Sequence, residues 1–402
     1  MTQLLTGCIL VGGGPAGVIA ALLLARRGVD VTLLEMHKDF DRDFRGDTVH
    51  ASTLDVLDQI GLAGPLHALP HAKLRNLTLH TPVKSISMVN FGSLKTRYPY
   101  VMIMPQSDFL EFLTRHARAH PSFHLRLGAQ VVDVLRDGET IVGVRFTQDG
   151  ETFELRAPLT VACDGRFSRI RKILKLDAPG QAPPMDVAWL RLPRRAADGF
   201  ETGAFYIGGG HMLVMLARPE TWQIGYVLPK GDFHSVKELG IDAFRRSIDV
   251  LVPWLADRTS AIGAWSEVHL LSVKSDRLER WHYPGALLIG DAAHVMSPVF
   301  GVGINYAIAD AVELVNVAAD DLLRGAVPES ALAEVQRRRE RPTRIIQRMQ
   351  GVAQEQIVRR ALAGREFDLP WIAKLVLRVP LLRDIPARIV AAGLTPLRLE
   401  RV

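Results

Sequence analysis

Hydrophobic and polar positions follow two different rhythms along this chain. From Cys8 to Ala25 no residue is charged, and Gly12-Gly13-Gly14-Pro15 breaks the run. That pattern predicts a buried strand at Cys8–Val11, a glycine turn, and a buried helix from Pro15 to about Arg27, with Gly28 as its stop. A second apolar run, Asp30–Leu34, ends at Glu35. Two strands joined by a helix imply a right-handed crossover and a parallel sheet covered on both faces. The uncharged run is long enough to suggest a membrane span. The glycines and proline in its middle argue against one, and Met1–Gly7 lacks the basic residues of a leader.

The rhythm then changes. After a helix near Thr53–Ile60, Leu77–His80 and Ser85–Phe91 read as antiparallel strands, and a helix spans about Ser107 to Ala119. Leu125–Leu127, Val131–Arg136 and Thr140–Thr147 alternate as strands, with a hairpin turn at Asp137-Gly138. Leu159–Ala162 is another buried strand. Between Asp186 and Trp265 strand signals dominate, at Ala188–Leu192, Gly203–Ile207, Met212–Ala217 and Trp222–Leu228. Ala286–Ile289 returns to the parallel sheet. Beyond Val302 the chain reads as helical, with prolines at 370, 380, 386 and 396 cutting its end into short pieces. The expected fold class is α/β: a Rossmann-like dinucleotide-binding domain with a parallel sheet (1–76, 98–180 and 270–325), an inserted, mostly antiparallel β-sheet domain (77–97 and 181–269), and a helical C-terminal segment (326–402).

Composition changes this picture little. The 402 residues are 48% hydrophobic and 23% charged, as in ordinary globular proteins. Cys8 and Cys163 are the only cysteines, and both fall in apolar runs. They are expected as reduced, buried thiols in a cytoplasmic protein. No Cys/His cluster has ligand spacing, so no metal is expected. The net charge of +6 is concentrated after residue 326, where fourteen arginines and one lysine face eight acids. A solvated helical face is the first reading, and a surface for anionic lipid or an acidic partner is the second. Nucleic acid is the least expected partner, since no aromatic platform is interleaved with the arginines.

The chemistry begins at Gly12-Gly13-Gly14-Pro15-Ala16-Gly17, which fits G-x-G-x-x-G. Gly12 allows a tight turn, Gly14 lets a phosphate approach the backbone, and Gly17 lets the helix pack on the sheet. The helix N-terminus supplies free N–H groups and partial positive charge. Glu35 lies 18 residues past Gly17, where a carboxylate accepts ribose hydroxyls and repels a 2′-phosphate. That favours FAD or NAD over NADP. Two further motifs follow strands: Asp164-Gly165 with Ser168 and Arg171, and Gly290-Asp291 with the tail Pro298, Gly301, Gly303, Asn305. Each places an Asp at the C-terminal end of a parallel strand, where such sheets bind ligands.

With these three motifs in order, the chain resembles the FAD-dependent aromatic hydroxylases, the group typified by para-hydroxybenzoate hydroxylase, over about residues 7–325. The resemblance implies that FAD fills the single fingerprint and that NADH or NADPH binds only transiently. It implies that Asp164 and Asp291 reach the cofactor, and that Pro298 and the turn Gly301-Val302-Gly303-Ile304-Asn305 face the flavin. Phe44–His50 is similar to the family's flavin-contacting loop, in which Arg45 touches FAD. Gln106 matches a position on the FAD chain and Val131 one beside the adenine. His294 is expected as a structural hydrogen-bonder and Asp310 as a local cap or pair.

The implied reaction is NAD(P)H-driven hydroxylation of an aromatic or polyketide-like substrate by O₂, through a flavin C4a-hydroperoxide. The cofactor carries the hard chemistry, and no catalytic base identifies itself; His50, five residues past Arg45, is the one candidate. Tyr206, Leu213, Met215 and Tyr226 are candidate substrate contacts, with core packing as the competing reading. Other readings are a halogenase, whose W-x-W-x-I-P motif is absent from Trp189–Pro193, a flavin-dependent reductase or desaturase of a lipophilic substrate, and an FAD-binding scaffold without activity.

Overall fold

The structure is a computed structural model that describes residues 2–41, 48–198, 202–364 and 380–401. The helices used below are α1 (Pro15–Arg26), α2 (Ala51–Gln59), α3 (Gln106–Ala117), α4 (Arg169–Ile173), α5 (Ile241–Leu251), α6 (Gly303–Leu323), α7 (Glu329–Ala353) and α8 (Pro380–Ala392).

The uncharged N-terminal run folds as its pattern predicts. Cys8–Val11 is a strand buried along its whole length, and α1 is buried from Ala16 to Ala25. A helix apolar all round needs cover on every side, and α1 has the sheet beneath it with α3 and α6 against it. The sheet has six strands in the order His282–Tyr283, Ala286–Leu288, Leu159–Ala162, Cys8–Val11, Val31–Glu35, Phe123–Leu127. All neighbours are parallel except the first pair. Because the strands run the same way, Gly12, Glu35, Cys163-Asp164 and Gly290-Asp291 all emerge at one edge.

A four-stranded sheet flanks this core: Thr2–Leu5, Glu151–Arg156, Thr140–Gln148 and Gln130–Asp137. The hairpin turns at Gly138, whose φ is +58°. Two of its strands, Thr2–Leu5 at the edge and Glu151–Arg156 beside it, have mixed polarity and were not legible as strands.

The third sheet has seven strands: His269–Leu271, Met185–Pro193, Thr221–Pro229, His211–Ala217, Thr202–Gly208, Asn76–His80 and Ser85–Asn90. One pair, Thr202–Gly208 with Asn76–His80, is parallel and joins the inserted block to the earlier chain. Both faces are apolar. The outer face carries Leu190, Leu213, Met215, Ile224 and Tyr226 under Phe244 and Ile248 of α5. The inner face carries Val187, Trp189, Phe205, Met212, Val214 and Val227, packed with Val299, Val358 and Leu362 from the last third of the chain.

Among the described residues one helical stretch, Val299–Leu323, has the length and apolarity of a membrane span. Here it is core: α6 lies between α1 and α7. Of the prolines expected to cut the end of the chain, Pro380 opens α8 and Pro396 lies beyond it, but Pro386 does not break its helix. Pro342 lies inside α7 and Pro386 inside α8, each costing one backbone bond without ending its helix; position 370 lies outside the described residues.

Candidate cofactor and active site

The three fingerprint glycines meet different surroundings. A Cβ on Gly12, whose φ is +109°, would lie 2.5 Å from the Cys163 carbonyl oxygen and 2.6 Å from the Asp164 Cα. One on Gly17 would lie 2.0 Å from the Gly12 carbonyl oxygen. Both positions are glycine because the backbone is crowded. A Cβ on Gly14 would meet nothing within 4 Å. That open space sits at the start of α1, where Pro15 occupies the first turn and no side chain caps the free N–H groups. Ala16 packs near Gly290, so α1 touches the Gly290-Asp291 turn directly.

Glu35 is buried, and its two carboxylate oxygens accept from the backbone N–H groups of Gly13, at 2.7 Å, and His37, at 2.9 Å. A carboxylate oxygen has two lone pairs, so capacity remains to accept ribose hydroxyls. Asp164 caps α4: its Oδ2 accepts from the N–H groups of Arg169, at 2.6 Å, and Ile170, at 3.2 Å. Burial pushes its carboxyl pKa up against these bonds, and among the described residues its buried Oδ1 has no partner. Asp291 lies 3.9 Å from Arg166 Nε. Arg166 therefore bridges the two Asp motifs. Sequence reading passed over it, although it sits between Gly165 and Ser168.

The Gly290-Asp291 turn is held from behind. The Gly290 N–H donates to Asp310 Oδ2 at 2.9 Å, His294 Nε2 lies 2.6 Å from the same oxygen, and Arg339 Nε donates to Oδ1 at 2.8 Å. Asp310 is fully buried. Burial alone would raise its pKa, but the charge and hydrogen bonds of His294 and Arg339 outweigh it and hold the carboxyl below its usual range. Asp310 thus pairs locally and also with α7, a partner that spacing could not supply. His294, its ring tilted against Trp281, is part of this scaffold.

The turn before α6 is shaped by two left-handed residues, Phe300 at φ +71° and Gly301 at φ +63°. Thr48 Oγ1 donates to the Gly301 carbonyl at 2.9 Å. Asn305 Oδ1 accepts from the His50 N–H at 3.0 Å and from Thr53 Oγ1 at 2.8 Å. No side chain caps α6, so the amides of Gly303 and Ile304 remain at its tip, behind Pro298, Gly301 and Val302. His50 does not open onto a pocket. It is 1% exposed, its Nδ1 lies 2.6 Å from the Val390 carbonyl of α8, and burial lowers its pKa to about 4. Gln106 opens α3, half-buried, and Val131 is buried opposite Phe146. Arg45 lies outside the described residues.

The four candidate substrate contacts sit on the face of the seven-stranded sheet that α5 covers. Tyr206, Leu213 and Tyr226 pair across strands and Met215 shares their face, as alternation requires, and that face is closed by α5. The Tyr226 hydroxyl bonds His211 Nδ1 at 2.6 Å and accepts from Ser247 at 3.1 Å. Tyr206 stacks on His80 with ring centres 4.6 Å apart. The opposite residues, Phe205, Val214 and Trp189, share the face that meets Val299 of the turn before α6.

This geometry fits FAD. An uncovered glycine lies at a helix start, a carboxylate ends the second strand, an unpartnered buried oxygen of Asp164 lies beside them, and a second uncapped helix tip follows the last motif. Its class is that of the FAD-dependent monooxygenases, and the chain belongs to that family: the family model described as an FAD binding domain matches residues 6–349. The chain is 31% identical over 390 residues to a 6-methylpretetramide 4-monooxygenase of Streptomyces rimosus, covering 96% of this chain and 92% of the relative. It is 29% identical over 326 residues to a rifampicin monooxygenase of Streptomyces venezuelae, covering 76% of this chain and 62% of that longer protein. In fold it matches a probable FAD-dependent monooxygenase from Pseudomonas aeruginosa with TM-score 0.77 and 22% identity, over 90% of this chain and 99% of that one. The protein is a flavoprotein monooxygenase that uses FAD, NAD(P)H and O₂.

Proposed function

We propose that this monooxygenase hydroxylates a polycyclic, polyketide-like aromatic substrate that lies against the inner face of the seven-stranded sheet. The observation that carries this reading is the shared cluster of Val299, from the turn before α6, with the inner-face residues Val187, Val214, Phe205 and Trp189. A flat apolar ligand on that face would meet the cofactor's reactive end. Two relatives, named for 6-methylpretetramide and rifampicin, support large ring systems as the substrate class.

Bound there, FAD would supply the redox and oxygen chemistry. The chain's own residues bind and orient. The amides at the start of α1 and the open space at Gly14 receive the pyrophosphate, and Glu35 accepts the adenosine ribose hydroxyls. Asp291, steadied by Arg166, accepts a ribityl hydroxyl. The amides at the tip of α6 would stabilise negative charge on a ring bound there. Apolar inner-face side chains exclude water, which keeps reducing equivalents for the substrate. His50, bonded inside the protein, is not assigned proton transfer. Arg45 and Gln106 are assigned to the cofactor, and Val131 to the wall beside the adenine.

The test is the purified flavoprotein with a panel of polycyclic and single-ring phenols. The expected result is NAD(P)H oxidation accelerated by a polycyclic compound, with O₂ consumed and a product heavier by one oxygen in mass spectrometry. Acceleration by single-ring phenols alone would overturn the substrate class. A protein that cannot be reconstituted with FAD would overturn the site.

A further inference from the structure

The buried face of α7 carries a polar row beside its apolar residues. Gln336, Arg339, Thr343, Gln347, Gln350 and Gln354 recur three or four residues apart, on one side of the helix. The glutamines among them face the stretch 276–299, short strands joined by turns, whose buried carbonyls need donors. Gln336 donates to Glu279 O at 2.7 Å and accepts from the Trp281 N–H at 2.8 Å. Gln347 donates to Asp276 O at 2.9 Å and Val295 O at 3.1 Å. Gln350 donates to Ser297 O at 2.9 Å and Val299 O at 2.8 Å. Gln354 Nε2 bonds Ser297 Oγ at 2.5 Å from the π-helical turn Gln354–Val358 that follows α7. A carboxamide suits this task because it offers two N–H donors without a charge.

The last rungs end at a functional place. Ser297 O and Val299 O belong to the peptide units just before Phe300, the non-glycine residue at φ +71°. Such a conformation persists only when its surroundings fix it. Gln350 is 1% exposed and spends both its amide protons there.

We propose that Gln350 is a positioning residue for oxygen transfer. By holding both carbonyls it fixes the Val299–Gly301 turn, and so sets where the first amides of α6 point. Helix α7 thereby becomes part of the active-site frame. The inference rests on the reading of that turn as the flavin-facing one.

The test compares Gln350→Leu, which removes both donors at similar volume, with Gln336→Leu, which makes the same kind of change at the far end of the helix. Three quantities are measured: amide hydrogen exchange of residues 301–305 in the apoprotein, FAD affinity by fluorescence titration, and product formed per NAD(P)H consumed. Gln350→Leu should speed exchange at the turn and weaken FAD binding, each about tenfold, the worth of about one hydrogen bond, and should lower coupling. Gln336→Leu should lower thermal stability and leave turn exchange and coupling unchanged. If Gln350→Leu fails to fold, Gln350→Glu carries the test. Its carboxylate cannot donate, so coupling should be low at neutral pH and recover in part as the acid takes up a proton, which restores one of the two donors. Unchanged exchange and coupling in the Gln350 variants would overturn the proposal, as would equal effects from Gln336→Leu. Faster exchange with FAD affinity and coupling intact would also overturn it, by showing that the turn is held by Gln350 but does not serve the flavin.

Discussion

Gly12, Gly14 and Gly17 belong to one short motif yet are glycine for different reasons, and substitution separates them. Gly14 has φ −78° and ψ −177°, which any residue adopts, and its Cβ would point into open space. Gly14→Val should therefore leave the apoprotein folded, with a melting temperature close to the parent's, while abolishing FAD binding. Gly17→Val drives a side chain into the Gly12 carbonyl at 2.0 Å and should instead deplete soluble protein, as α1 is forced off the sheet. Absorbance at flavin wavelengths and thermal unfolding read both; a yellow Gly14→Val protein would contradict the cradle. The motif was legible because its spacing is local. Arg166 was not, since its partner Asp291 lies on another strand's end and only the parallel sheet brings them to 3.9 Å.

Among the elements, the seven-stranded sheet shows what alternation decides and what it leaves open. Period two correctly groups Leu213 with Met215, and the register adds Tyr206 and Tyr226. It does not say which face is covered by a helix and which meets the cofactor domain, because both are apolar. The answer lay downstream: Phe244 and Ile248, four apart on α5, form the stripe that closes the outer face. Two substitutions separate the faces. Tyr226→Phe removes hydrogen bonds to His211 and Ser247, and should cost about 1 kcal/mol of stability while leaving KM unchanged. Phe205→Ala, on the inner face, should raise KM severalfold and lower coupling. Steady-state kinetics beside denaturant unfolding would show it, and the opposite pattern would return the substrate to the outer face.

Across the whole molecule, the chain's end is sewn back over the start of the cofactor site. The Leu399 N–H donates to Gln59 Oε1 at 2.8 Å, Asn316 Nδ2 donates to Arg398 O at 2.9 Å, and His50 holds Val390. This closure has a pH signature. His50 has a pKa of about 4 when folded against 6.5 as its ordinary value. Above pH 6.5 it is neutral in both states and stability is unaffected by it. As pH falls from 6.5 towards 4 the unfolded chain takes up the proton and the folded one does not, so stability is lost, on the order of 3 kcal/mol in all. His50→Asn should therefore flatten the fall of unfolding free energy between pH 6.5 and 4. An equally steep fall in the variant would place the acid sensitivity elsewhere.

By itself the sequence determined what is local or periodic: the glycine turn, Glu35 at a strand end, the order of the motifs, the two sheets, and hence the family and its cofactor. Those features depend on neighbours a few residues away, and the chain cannot hide them. Tertiary structure alone decided the rest. It turned the candidate substrate residues to the outer face, buried His50 against α8, paired Asp310 with Arg339, and set a ladder of glutamines against the carbonyls before Phe300. Each of these depends on which surfaces meet, and buried carbonyls and carboxylates take their partners from whatever distant segment the packing brings near.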